Sequence, residues 1–245
     1  MKKKFIIIIY DNLKTLVGAL LVAVLIRSLL FQPFYIPSSS MEPTLLVGDR
    51  IFVSKYSYGY SKHSFPFSPN FSNARFFSKI PVRGDLVVFK TPADNRTDYI
   101  KRLIGMPGDT LQFIDGNLLI NENKISRDKV DTSISIRCGK FILETNSFIE
   151  TLPNGIKYLA VYKKRGTLQN TKKFIVPSNH YFLLGDNRDC SKDSRYLDSV
   201  GYVKNINLVG KAQLIFFSND TNINSLLKFW NLNKSFRIER LFKSL

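Results

Sequence analysis

The sequence predicts a mainly β protein hung on a single N-terminal transmembrane helix, with an antiparallel β-sheet domain into which a smaller β subdomain is inserted. Three observations carry this. An apolar run over residues 15–31 holds one charge, Arg27. Beyond residue 40 the apolar runs are short and punctuated by turn residues, the pattern of strands. Dense polar motifs lie on both sides of residues 111–177, and that stretch carries none, as an insertion would.

The apolar run comes first. Its seventeen residues make a helix roughly 26 Å long, a little short of the ~30 Å hydrocarbon layer. Leu13 and the long stems of Lys14 and Arg27 extend it to the interface. Leu, Val and Ala surround the whole helix, so it has no polar face to turn to solvent. Pro33, Phe34, Tyr35 and Pro37 separate the run from Ser38-Ser39-Ser40, too long and bulky a stretch for a cleaved leader, so the anchor is read as retained. Lys2, Lys3, Lys4 and Lys14 precede it, which places residues 1–12 in the cytoplasm and everything after the anchor (13–31) outside. No second span is expected.

Strand signals follow. Leu86-Val87-Val88-Phe89 reads as a buried strand. Asp115-Gly116-Asn117 between two apolar runs is a strong hairpin signal, and Pro153-Asn154-Gly155 and Pro177-Ser178-Asn179 mark further turns. The resulting division is a β core over 32–110 and 178–217, the insertion over 111–177, and a basic tail over 218–245. In that tail Phe229, Trp230, Lys234, Arg237, Arg240 and Lys243 suit a surface helix or a solvated end.

Composition narrows the chemistry. Lys+Arg 36 against Asp+Glu 19 gives a net charge of +17, on a chain that is 44% hydrophobic and so folded. Such a charge seeks an anionic partner, and the anchor makes that partner the lipid bilayer, with no nucleic acid. Cys 2 and His 2 exclude a dense disulfide scaffold and leave little for a metal centre; no metal or cofactor is expected.

Three motifs carry the polar chemistry. Ile36-Pro37-Ser38-Ser39-Ser40-Met41-Glu42-Pro43-Thr44 presents serines on a stiff backbone that its prolines keep out of a helix. In Asp98-Tyr99-Ile100-Lys101-Arg102-Leu103, strand alternation puts Lys101 between Tyr99 and Leu103, where burial lowers an ammonium pKa. Arg102 lies on the other face. Gly185-Asp186-Asn187-Arg188-Asp189-Cys190-Ser191-Lys192-Asp193-Ser194-Arg195-Tyr196 packs acids, bases and serines into one loop without calcium-loop spacing.

Together with Arg83-Gly84-Asp85-Leu86-Val87-Val88-Phe89 and Gly108-Asp109, these motifs resemble the bacterial type I signal peptidases (leader peptidases), membrane-bound serine proteases of the Ser–Lys dyad class. The resemblance runs from the anchor to about Phe217 and is weakest over 111–177. It implies cleavage of signal peptides from exported preproteins at the outer face of the bacterial inner (plasma) membrane. Ser40 would be the nucleophile and Lys101, neutral, its general base. Ser38 Oγ and the Ser40 N–H would form the oxyanion hole. Ser191 would orient the Lys101 amine, and Asp193 would pair with Arg195 and Arg102. Phe34, Ile36, Met41, Leu45, Ile51, Val88, Tyr99 and Ile100 would line pockets for small substrate side chains. Cys190 departs from the family, where Asn often stands; Cys138 and Cys190 are read as free thiols, with a disulfide between them the alternative outside the cytoplasm. Residues 56–77 are rich in Tyr and Phe and either rest at the membrane interface or pack as ordinary β structure. The alternatives are a membrane-anchored basic binding module without peptidase activity and a LexA-like self-cleaving Ser–Lys protease.

Overall fold

The computed structural model describes residues 2–70, 72–131, 134–139, 141–219 and 236–245, with side chains from Ile9 on. Lys2, Lys3 and Lys4 are therefore described in backbone only, and Phe71, Phe229, Trp230 and Lys234 lie outside the described residues.

Helix α1 (Lys2–Leu29) begins well before the expected anchor. Asp11 and Lys14 do not interrupt it, and the Thr15 hydroxyl donates to the Asp11 carbonyl at 2.9 Å. Its apolar stretch, Ile9–Leu30, has 22 residues, about 33 Å of helix and enough to cross a bilayer. Almost none of it is buried against the rest of the protein. The helix stops two residues short of Phe31 because Pro33 favours an extended chain. Strand β1 (Phe31–Tyr35) follows at once, and Phe31 packs edge-on against Phe52 and Tyr56.

The chain is then mainly β. The strands of the main sheet are β1, β2 (Asp49–Ser54), β3 (Leu86–Lys90), β4 (Asp98–Gly105), β13 (His180–Leu184), β14 (Val203–Lys204), β15 (Leu208–Ser218) and β16 (Lys243–Ser244). They run antiparallel in the order β1-β2-β15-β3-β4-β13-β14, with β16 added to β15. Two smaller sheets are built from residues 110–175, nearly the stretch that reads from sequence as an insertion. One holds β5 (Thr110–Ile114), β6 (Asn117–Ile120), β7 (Asn123–Lys124) and β12 (Phe174–Ile175). The other holds β8 (Ser126–Val130), β9 (Ser135–Cys138), β10 (Phe141–Thr151) and β11 (Lys157–Lys163).

The hairpin signal is met literally. Asp115 and Gly116 form a two-residue turn with φ of 48° and 73°, the doubly positive geometry that lets two antiparallel strands twist correctly. The insertion does not keep its core to itself. Leu111, Phe113, Ala160 and Phe174 pack in one cluster with Ile104, Phe182 and Leu184 of the main sheet. A second cluster, including Met41, Leu45, Ile51, Val53, Val88 and Ile215, fills the space behind β1 and β2.

The described end of the tail differs from the expected surface helix or solvated end. Residues 236–245 return to the main sheet through β16, and Arg240 is buried with its guanidinium 2.6 Å from Asp49. A fully buried carboxylate needs such a partner, and that need draws the basic segment inward. The aromatic stretch divides. Tyr58 is buried and donates to Asp85 at 3.0 Å, Tyr60 donates to the Leu29 carbonyl, and Phe67 and Phe77 stand exposed.

Candidate active site

The serine segment is held between two prolines. They permit one 3-10 turn, Ser39–Met41, flanked by extended Ser38 and Glu42 and followed by a cis Glu42-Pro43 bond. The expectation of no helical backbone thus misses a single turn. Ser40 is buried at 8% exposure while Ser38 is exposed, their hydroxyls 3.4 Å apart.

The turn is clamped from the third motif. Asn187 donates its backbone N–H to the Ser40 carbonyl at 3.2 Å and its side-chain amide to the Ser39 carbonyl at 3.0 Å. Gly185 lies so close that a Cβ there would fall 2.5 Å from the Ser40 carbonyl oxygen and 2.3 Å from Ser191 Oγ. Only glycine fits this approach.

Lys101 reaches Ser40 from β4. Its Nζ lies 2.6 Å from Ser40 Oγ and 2.9 Å from the Ile100 carbonyl, and 5.4 Å from the centre of the Tyr99 ring. Burial pushes the amine down from 10.5 to about 8, against the opposing pull of the Asp193 and Asp186 carboxylates.

Arg102 points to the opposite face and is also buried, which corrects one expected pairing. It does not meet Asp193. Its guanidinium grips Asp186 with two bonds of 2.8 and 2.6 Å, and Thr44 Oγ1 donates to the same carboxylate at 2.5 Å. The reason is register: Leu184 pairs with Arg102, so Asp186 just beyond it comes over the Arg102 face. Asp193, with no exposure, takes Arg195 at 2.8 Å and the Gly185 N–H at 3.1 Å. Burial raises the Asp193 carboxyl, and the Arg195 charge and hydrogen bonds more than reverse this, leaving it below the usual range.

Ser191 departs from expectation as well. Its Oγ is buried without a hydrogen-bond partner and does not bond Lys101, whose amine uses Ser40 and the Ile100 carbonyl instead. The two cysteines, expected as free thiols, form a disulfide with Cα atoms 5.5 Å apart. Strand β9 explains the proximity. The Arg137 N–H donates to Glu42 Oε2 at 2.9 Å and its carbonyl accepts from Asn187 at 3.3 Å, so β9 lies against both the serine turn and the Asn187–Cys190 turn.

A groove of about 370 Å³ opens beside Ser40 and Lys101. Phe34, Ile36, Ile51, Val88, Tyr99 and Ile100 line it, as do Ser38 and, not singled out from sequence, Tyr35, Asp98, Cys190 and Lys192. Met41 and Leu45 do not line it; at 1% and 0% exposure they sit in the core cluster. Asn187 and Asp186 were within a recognised motif, but their clamping partners lie far away in sequence. Glu150 had no signal at all. It is buried against Arg188 at 2.6 Å and takes the hydroxyls of Tyr158 and Tyr162. Among the described residues no three His, Cys, Asp or Glu side chains converge as metal ligands.

Comparison with known proteins completes the picture. The sequence pattern of the family "Signal peptidase, peptidase S26" matches residues 9–217. Signal peptidase I of Rickettsia conorii (strain Malish 7) is 44% identical over 244 residues, covering 91% of this chain and 88% of its own. That of Rickettsia canadensis (strain McKiel) is 45% identical over 243 residues, covering 91% and 89%. A solved signal peptidase I from Enterococcus faecalis V583 is 31% identical over 54% of this chain and 97% of its own, with a TM-score of 0.34, too low to speak for the fold. The class defined by these matches is a peptidase. The chain belongs to the signal peptidase family, peptidase S26. It is a serine peptidase of signal peptides, and its N-terminal apolar helix fits a membrane-anchored protein.

Proposed function

We propose that the chain cleaves signal peptides from exported preproteins with Ser40 as nucleophile and neutral Lys101 as general base. The observation that carries this is the 2.6 Å contact of a buried lysine amine, lowered to about 8, with a serine hydroxyl at the mouth of an apolar groove. At pH 7 about one lysine in ten is then neutral. The neutral amine takes the Ser40 proton as Oγ attacks the scissile carbonyl carbon. The oxyanion is met by the Ser40 N–H and the exposed Ser38 hydroxyl; one such donor is worth about 3–4 kcal/mol. Lys101 returns its proton to the leaving amine, which departs as the new N-terminus. It then takes a proton from the water that hydrolyses the acyl-enzyme.

The substrate lies extended in the groove. Strand β13 pairs with β4 from Arg102 onward, and Asp98, Tyr99, Ile100 and Lys101 pair with β3 on their other side. Their open edge suits an added strand. Val88, Ile51 and Phe34 leave room for small side chains beneath it.

The anchor runs with its N-terminus in the cytoplasm, by the charge of Lys2, Lys3, Lys4 and Lys14. The Cys138–Cys190 disulfide supports an extracytoplasmic β domain, because cytoplasmic thiols are kept reduced. The test is to incubate the detergent-solubilised full chain with a preprotein ending its signal in Ala-x-Ala. A single defined cut is expected, lost in Ser40→Ala and in Lys101→Met although both variants remain folded, the latter with a melting temperature no lower than that of the parent chain. Full cleavage by either variant would refute the assignment, and binding without any cut would favour the basic binding module.

A further inference from the structure

A second cavity, of about 450 Å³, lies where α1 ends. Arg27 from the last turn of α1, Lys90, Arg96, His63 and Phe67 are in its wall. Asp98 lines both this cavity and the substrate groove, so the two adjoin at the start of β4.

The charge here is one-sided. Lys90 is held by Asp98 at 2.9 Å, but Arg27 and Arg96 form no ion pair among the described residues. Lys55 is fully buried behind the wall, and its amine has only the His63 carbonyl at 3.5 Å. The other side of the His63 ring is equally bare. Nδ1 lies 3.0 Å from Ser68 Oγ, while Nε2 is buried with no hydrogen-bond partner. Burial lowers Lys55 to about 7, partly opposed by Asp98, and burial with the charges of Lys62 and Lys90 lowers His63 to about 4. The Lys55 amine is short of acceptors, and a buried donor without them is costly, while Arg27 and Arg96 bring unpaired charge to the wall itself. An anion in the cavity would face the Arg27 and Arg96 charges directly and offset the Lys55 charge behind the wall.

Depth selects the anion. The apolar stretch of α1 ends at Leu30, and Arg27 sits in its last turn. A spanning helix leaves the hydrocarbon at that level, where the phosphates of phospholipids lie. Phe67, wholly exposed beside the cavity, is a side chain suited to that boundary. We propose that this cavity binds the phosphate of an anionic phospholipid headgroup through Arg27 and Arg96, fixing the height of the adjoining groove above the bilayer. Arginine is suited to the task, since its planar fork meets phosphate oxygens in pairs. The proposal rests on α1 spanning a bilayer.

The experiment titrates the full-length protein in neutral detergent with phosphatidylglycerol, phosphatidylcholine or inorganic phosphate and follows the melting temperature. Phosphatidylglycerol should raise it, and the other two should not at matched concentration. Arg27→Gln with Arg96→Gln should weaken the phosphatidylglycerol effect about tenfold, equivalent to about 1.4 kcal/mol, and lysine at both positions should restore part of it. The same glutamine variant should cleave a short signal-peptide substrate at the wild-type rate in lipid-free detergent. Three results would overturn the idea. An undiminished shift in the glutamine variant would place the lipid elsewhere. An equal shift with inorganic phosphate would make this a free-anion site. Lost peptide cleavage at normal melting temperature would make it a substrate site. Alkaline extraction of membranes tests the anchor separately: release of the protein would refute the span whatever the titration shows.

Discussion

Lys101 sets the pH behaviour of the proposed chemistry. Burial holds its amine at about 8, and in the proposed mechanism the neutral form is the base. Activity should therefore climb with pH through about 8 and level off above it. A pH profile of kcat/KM measures this, and a flat profile between about pH 6 and 9 would contradict a lysine base. Stability follows with the same sign. The unfolded chain holds this proton more tightly than the folded one, so this group makes the fold more stable as pH rises from about 8 toward 10.5. Below that window the charged, buried amine costs the fold about 3 kcal/mol. The Ser40–Lys101 pairing is legible only through the family resemblance, strand alternation giving no more than the burial of Lys101; the lone Ser191 hydroxyl is not legible even so, because a hydrogen bond depends on tenths of an ångström that no motif encodes.

Two elements meet at the serine turn, and the disulfide joins them. Strand β9 carries Cys138 and hydrogen-bonds Glu42, while the turn carrying Cys190 begins at Asn187, which clamps Ser39 and Ser40. Closing a loop across a separation of 52 residues should stabilise the fold by about 2–4 kcal/mol. Cys138→Ser, or a thiol reductant, should lower the denaturation midpoint accordingly and slow cleavage by loosening Asn187. Equal midpoints in denaturant with and without reductant would show that the bond adds nothing. Sequence leaves free thiols and a disulfide both open and favours the former, because the closeness of the cysteines arises from β9 folding across the site, and β9 lies in the part of the chain with the weakest motif signal.

At the scale of the whole molecule, residues 236–245 are tied back to the main sheet. Arg240 lies 191 positions from Asp49, and both are buried, with Ser218 also donating to Asp49 at 2.7 Å. Arg240→Met should cost about 3 kcal/mol by removing the guanidinium that grips the buried Asp49 carboxylate, with Arg237 left at 4.0 Å as its remaining counter-charge. Urea denaturation measures it; a loss below about 1 kcal/mol would return the tail to the solvated end read from its composition. The same scale governs the insertion, whose apolar residues share a core with β4 and β13. Its strands were legible from turns such as Asp115-Gly116, but the sharing was not.

The sequence by itself determined what is local. A charge-poor apolar stretch makes a helix that fits a membrane, Asp-Gly between alternating runs makes a hairpin, and four ordered motifs mark the peptidase family. These follow from backbone sterics and side-chain hydrophobicity over a few residues. Tertiary structure alone decided the pairings at long range: Arg102 with Asp186, Cys138 with Cys190, Arg240 with Asp49. Each depends on strand order and register, and burial then leaves a charged group only the partner that the sheet has brought beside it.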